Sequence, residues 1–155
     1  MKIKYLPLFI LSLIAAFSNL SGKTLVNKDS FSNLALEGYD AVSFFTEDKA
    51  VKGKDSISAN YLGATYHFAS TENRRLFERN PAKYAPAFGG FCACTIAEGM
   101  GLKQGKVATW QIVDGRLILT HDEKAKKRLN ADIASMLVQA DQAWPTLVAE
   151  KGSES

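Results

Sequence analysis

Cysteine and histidine are scarce here: Cys92 and Cys94 are the only thiols in 155 residues, and His67 and His121 the only imidazoles. Two thiols allow a single intramolecular pairing, across a Cys-x-Cys spacing. The sequence has no Cys-x-x-Cys, no His-Glu-x-x-His, no phosphate loop and no Ser-His-Asp ordering, so none of those chemistries is announced. Four Pro and 11 Gly exclude a collagen-like or low-complexity chain. Charge of one sign is also lacking. With 19 Lys+Arg against 16 Asp+Glu, the formal +3 shows none of the dense basic stripe that a nucleic-acid binder needs.

Long hydrophobic runs are missing as well. The one apolar stretch, residues 6–17 (LPLFILSLIAAF), is interrupted by Pro7 and Ser12, and spanning a bilayer takes ~20 apolar residues. Lys2 and Lys4 precede it and small or polar residues 18–22 follow. This is the layout of a secretory signal peptide over residues 1–22, with no stable membrane anchor after cleavage. No Cys adjoins the cleavage region for acylation, and no twin-arginine pair is present. The expected location is the periplasm, an oxidising compartment. Removing the leader leaves 17 basic and 16 acidic residues, so much of the basicity belongs to the export signal.

What is present reads as one small α+β domain. Nine Phe, five Tyr and two Trp supply a core. Residues 23–37 form a polar lead-in, residues 38–147 the body and residues 148–155 a disordered tail. Residues 41–45 (AVSFF) read as a short strand. Residues 56–61 and 64–69 flank Leu62-Gly63 and read as a β-hairpin with Ala64, Tyr66 and Phe68 on its core face. Ser70-Thr71 offers hydroxyl caps for a short central helix over 72–78, ended by Asn80-Pro81. Asp114-Gly115 joins strands 108–113 and 116–120 in a second hairpin. From Asp122 the period turns helical, with Ala125, Leu129, Ile133, Met136, Leu137 and Ala140 on one face of an amphipathic C-terminal helix ending at Trp144-Pro145. Whether Asn130 splits it is open.

Residues 66–70 (YHFAS), 72–74 (ENR), Phe77 and 80–86 (NPAKYAP) carry a resemblance to the YHS domain family. The flanking 38–42 (GYDAV), 89–93 (GGFCA), 110–115 (WQIVDG) and Ala140-Asp141 with Trp144 extend it over roughly residues 36–147, as in exported YHS-domain proteins. The resemblance implies a small module related to the TRASH-type metal modules, and so metal binding. In the metal-module relatives the resemblance places Cys at two positions that here hold Ala69 and Asn73.

The candidate site residues follow. His67, Cys92, Cys94 and Met100 would make a soft N/S set suited to copper, as Cu(I), or zinc. If residues 91–98 are helical, the two thiols point apart; if extended, they act together as metal ligands or as a strained, reactive disulfide. The alternative for both is to be small buried hydrophobes. Tyr39 and Asp40, in a turn whose acid accepts hydrogen bonds, and Tyr66 are candidate ligand-binding residues, with capping or pairing to an Arg as the other role for Asp40. His121 reads as a helix-start residue, and Lys124, Lys126, Lys127 and Arg128 as a solvated face.

The expectation is thus an exported module that binds a soft metal or a small ligand near His67 and the 92–100 loop. A thiol redox protein using Cys92 and Cys94, and a non-catalytic partner-binding module, are the alternatives. No catalytic set is evident, which leans against an enzyme.

Overall fold

The computed structural model describes residues 22–154. The expected leader therefore lies outside the described residues, apart from Gly22. Its N-terminal end is β1 (Lys23–Thr24), followed by an irregular segment and a tight turn at Leu36–Gly38. The next element departs from expectation. Residues 41–45 do not form a strand; Ser43–Thr46 is a single helical turn, α1. The reason is local. The Asp40 carboxylate accepts the Val42 N–H at 2.9 Å and the Asp40 carbonyl accepts the Ser43 N–H at 3.2 Å, which starts a helical turn that five apolar residues alone do not specify.

The strands β2 (Lys54–Tyr61) and β3 (Ala64–Phe68) form the first antiparallel hairpin. Its turn has positive φ at both Leu62 (50°) and Gly63 (73°), the geometry whose twist matches that of paired strands. Ala64, Tyr66 and Phe68 are buried and alternate with half-buried Thr65 and His67. Helix α2 (Thr71–Arg79) is capped by Ser70, whose hydroxyl accepts the Asn73 N–H at 3.1 Å, and has Glu72 in its first turn and Arg79 in its last. It buries Phe77 against the rings of Tyr61, Tyr66 and Phe68. Asn80 closes α2 and caps the short α3 (Pro81–Tyr84).

After a turn at Ala87–Gly90 comes α4 (Ala93–Ala97). The second hairpin, β4 (Lys106–Val113) with β5 (Arg116–Thr120), turns at Asp114-Gly115 with φ 49° and 72°. Two helices follow: α5 (Glu123–Ala131) and α6 (Ile133–Lys151). The break falls at Asp132 rather than Asn130, and the Asp132 carboxylate caps α6 by accepting the Ser135 N–H. Pro145 does not end α6, which continues to Lys151. Pro145 is exposed, so the backbone hydrogen bond it removes is left to water rather than to the core. The expected disordered tail at 148–155 is also revised: residues 148–151 are helical, and Ser153–Glu154 forms β6, antiparallel to β1.

Hydrophobic burial falls into two clusters that share β5. Leu117 and Leu119 pack with Phe44, Tyr66, Phe68 and Phe77, while Ile118 points the other way onto Phe88, Ile96, Leu129 and Leu137. A strand buried on both faces reads as a continuous apolar run, as residues 117–119 do. Three two-stranded sheets and helices segregated from them make an α+β domain among the described residues.

Candidate functional site

Cys92 and Cys94 lie in the second cluster, both fully buried and both free thiols. Cys92 is the extended N-cap of α4 and Cys94 lies in its first turn, so the segment is helical only from Ala93 on, and neither the all-helical nor the all-extended alternative describes it. Glu98, one helical turn beyond Cys94, is gripped by Arg128 through two N–H groups at 2.9 and 3.2 Å. Burial first, and the nearby Glu98 charge second, push the Cys94 thiol up to about 11. A thiol held protonated at neutral pH is neither a nucleophile nor a ready ligand.

His67 lies on β3 opposite Ser58, in the other half of the molecule's packing, and Met100 is 60% exposed beside His121 in a shallow depression. Among the described residues, no three His, Cys, Asp or Glu side chains are grouped to hold a metal ion. His67, Cys92 and Cys94 are therefore not brought together. The donors present do not fit the metal centre that the resemblance implies.

Tyr39 and Asp40 serve the fold. Lys52 Nζ stands 4.5 Å over the Tyr39 ring. Asp40 is 0% exposed and its carboxylate accepts three hydrogen bonds, from Val42 N–H at 2.9 Å, Ala69 N–H at 2.8 Å and Asn73 Nδ2 at 2.8 Å. This ties α1, the end of β3 and α2 together. A buried carboxylate so engaged has little capacity left for a ligand.

Tyr66 is different. The residue is 1% exposed, yet its hydroxyl has no hydrogen-bond partner among the described residues and contributes to a cleft of about 470 Å³. Among the described residues Arg74 Nε is the fully buried side-chain atom without a partner, so the Tyr66 hydroxyl is reached from the cleft, where water or a ligand can meet it. The cleft is lined on one side by Tyr61 and Tyr66 of the first hairpin, and elsewhere by Phe88 of the 87–90 turn and Trp144 of α6. Its rim carries Lys83 and Arg116. Arg116 is held by Asp141 through two bonds, at 3.0 and 2.8 Å, and its guanidinium lies 4.9 Å from the Phe88 ring centroid. Burial, with Tyr61 as a second cause, raises the Tyr66 phenol well above its ordinary range, so it stays a hydrogen-bond donor.

The remaining wall is the strap formed by residues 23–28. Lys23 Nζ donates to the Ala149 carbonyl at 2.8 Å, Thr24 Oγ1 to the Leu62 carbonyl at 3.3 Å, and the Asn27 N–H to the Gly89 carbonyl at 2.8 Å. Asn27 Nδ2 reaches the Gly90 and Gly105 carbonyls at 3.1 and 3.2 Å. Gly89 is required here: its φ is +59°, and a Cβ would stand 2.0 Å from the Leu25 carbonyl oxygen.

The stretch from α1 to the 87–90 turn, which carries Tyr61, Tyr66, Lys83 and Phe88, also carries the sequence signature. Residues 42–88 match the YHS domain family. The YHS segment thus supplies one half of the cleft, while the strap, Arg116, Asp141 and Trp144 lie outside it. The wider resemblance read over residues 36–147 is supported over this central stretch. Searches of curated proteins and of solved structures return no match.

Tyr66 is the one candidate from the sequence that lines this cleft. Tyr61, Lys83, Phe88, Arg116 and Trp144 were not singled out as site residues. Each reads as an ordinary strand, helix or loop residue, and their sequence separation hides the shared wall.

Proposed function

We propose that this chain is an exported, non-catalytic binding module that holds a small organic molecule in the cleft between the first hairpin, the strap and α6. The observation that carries the proposal is Tyr66, a buried side chain that lines an aromatic-walled cleft and whose hydroxyl has no hydrogen-bond partner among the described residues. The volume of about 470 Å³ falls in the ~300–1,000 Å³ range of small-molecule sites. Export is supported by the signal-like layout of residues 1–22. No helix of the described residues is long and apolar enough to cross a membrane. Two free thiols suit an oxidising compartment when they are as buried as Cys92 and Cys94 are.

A copper or zinc site at His67, Cys92, Cys94 and Met100 would require the thiols to leave the core, and a thiol redox role would require a thiolate at Cys94. The test is an NMR screen of a small aromatic and aliphatic fragment library. Binders should shift the amide signals of Tyr61, Tyr66, Phe88 and Trp144, and Tyr66→Phe should weaken them. Hits that cluster around residues 92–100 instead, or zinc binding lost in Cys92→Ser/Cys94→Ser, would overturn this reading.

A further inference from the structure

The charge at the cleft narrows the ligand class. Lys23, Lys83 and Arg116 line it, against the single acid Asp141. Asp141 is already committed to Arg116 in a two-bond pair. Lys23 donates to the Ala149 carbonyl, and Lys83 Nζ lies 5.0 Å from the Tyr84 ring centroid and forms no ion pair with a described residue. Among the described residues that line the cleft, the basic groups outnumber the one acid, Asp141, which is paired with Arg116.

Arg116 is also prearranged. A guanidinium carries five N–H donors in a fixed plane. Two are taken by Asp141, and the Phe88 ring lies against the group, which limits its motion and leaves the other donors for a further acceptor. Donors already held in place lose little freedom when a ligand arrives. The Tyr66 hydroxyl adds a donor at the cleft with no partner among the described residues. The aromatic walls of Tyr61, Phe88 and Trp144 fit the apolar body of a ligand and offer nothing to a hydrophilic one.

We infer that the cleft takes an amphipathic organic anion, a compact apolar or aromatic body bearing one acidic group, whose charge is met by Arg116 and Lys83 and whose acceptor is met by the Tyr66 hydroxyl. The inference rests on the small-molecule reading of the cleft and adds the sign of the ligand's charge. An organic cation is disfavoured by the same residues, since the one carboxylate at the cleft is already paired.

The test is calorimetric titration of the protein with 2-naphthoate and with its uncharged isostere 2-naphthamide. A charge-assisted hydrogen bond stabilises enough to set the anion about tenfold or more tighter than the amide. Arg116→Gln should reduce that preference to within about threefold, and Lys83→Gln should reduce it in part. Lys83 is exposed, so its variant keeps the test valid if Arg116→Gln fails to fold. Tyr66→Phe should weaken both probes. Equal affinity for the two probes would overturn the anion inference and leave the cleft reading standing. Absence of saturable binding by either probe would overturn both, and a preference unchanged in both charge variants would overturn the assignment to Arg116 and Lys83.

Discussion

Replacing Asp40 by Asn changes one atom and separates a structural carboxylate from a binding one. The carboxylate spends Oδ1 on the Val42 N–H and Oδ2 on both the Ala69 N–H and Asn73 Nδ2. A carboxamide keeps one acceptor oxygen, and its NH2 would face two donors where Oδ2 stood. Each hydrogen bond to a charged group contributes ~1.5–3 kcal/mol, so losing the Oδ2 pair costs ~3 kcal/mol or more. Against a typical total stability of ~5–15 kcal/mol, that is a large fraction. Asn73→Ala removes one partner and leaves the carboxylate two, for ~1–2 kcal/mol. Asp40→Ala leaves all three donors unmet and should be worst. Urea unfolding followed by circular dichroism should show midpoints falling in the order wild type, Asn73→Ala, Asp40→Asn, Asp40→Ala, with unchanged slopes. Asp40→Asn within ~0.5 kcal/mol of wild type would refute the hub. Unchanged stability with lost ligand binding would return Asp40 to the site.

Three further outcomes follow from the same structure. Gly89→Ala should detach the strap, because its Cβ would meet the Leu25 carbonyl oxygen at 2.0 Å; hydrogen exchange at residues 23–28 should rise, and unchanged protection would contradict the strap. Leu62→Asn should stabilise the protein by ~0.5–1 kcal/mol, since Leu62 is 44% exposed and holds a φ of 50° that Asn adopts more readily; a lower melting temperature would count against the turn assignment. The Cys94 thiol is raised in the folded state from 9.0 to about 11. Its contribution to stability is therefore full below pH 9 and lost as pH rises towards 11, because the unfolded chain gives up that proton first. Comparing stability across that window in wild type and Cys94→Ala isolates the effect, and identical slopes would refute it.

Much of the fold was legible because local chemistry decided it. Leu62-Gly63 and Asp114-Gly115 announced both hairpins, and alternation placed Tyr66 and Phe68 inward, as they are. The errors fall where a single side chain or the solvent overrides the pattern. Asp40 turns residues 41–45 from an expected strand into the start of α1, and the exposed position of Pro145 lets α6 continue past it. At Cys92 and Cys94 the sequence left helix and loop open, and the chain uses both, with Cys92 extended before α4 and Cys94 inside it, each buried. The cleft was hidden for a different reason. Its walls come from residues 23–26, 61–66, 82–89, 115–116 and 141–148, which no spacing rule links. Tyr66 was noticed beforehand from alternation and the family signature, and Lys83, Asp141 and Trp144 only as parts of that signature, with nothing to join them.

The central claim is that the cleft holding the Tyr66 hydroxyl is the binding site and that its ligand is an organic anion. A crystal structure of the protein soaked with 2-naphthoate tests it most directly. The account predicts the ring system between Tyr61, Phe88 and Trp144, with the carboxylate turned to Arg116 and within hydrogen-bond reach of Tyr66 Oη. An empty cleft at saturating 2-naphthoate, or the anion bound instead beside Met100 and His121, would contradict it.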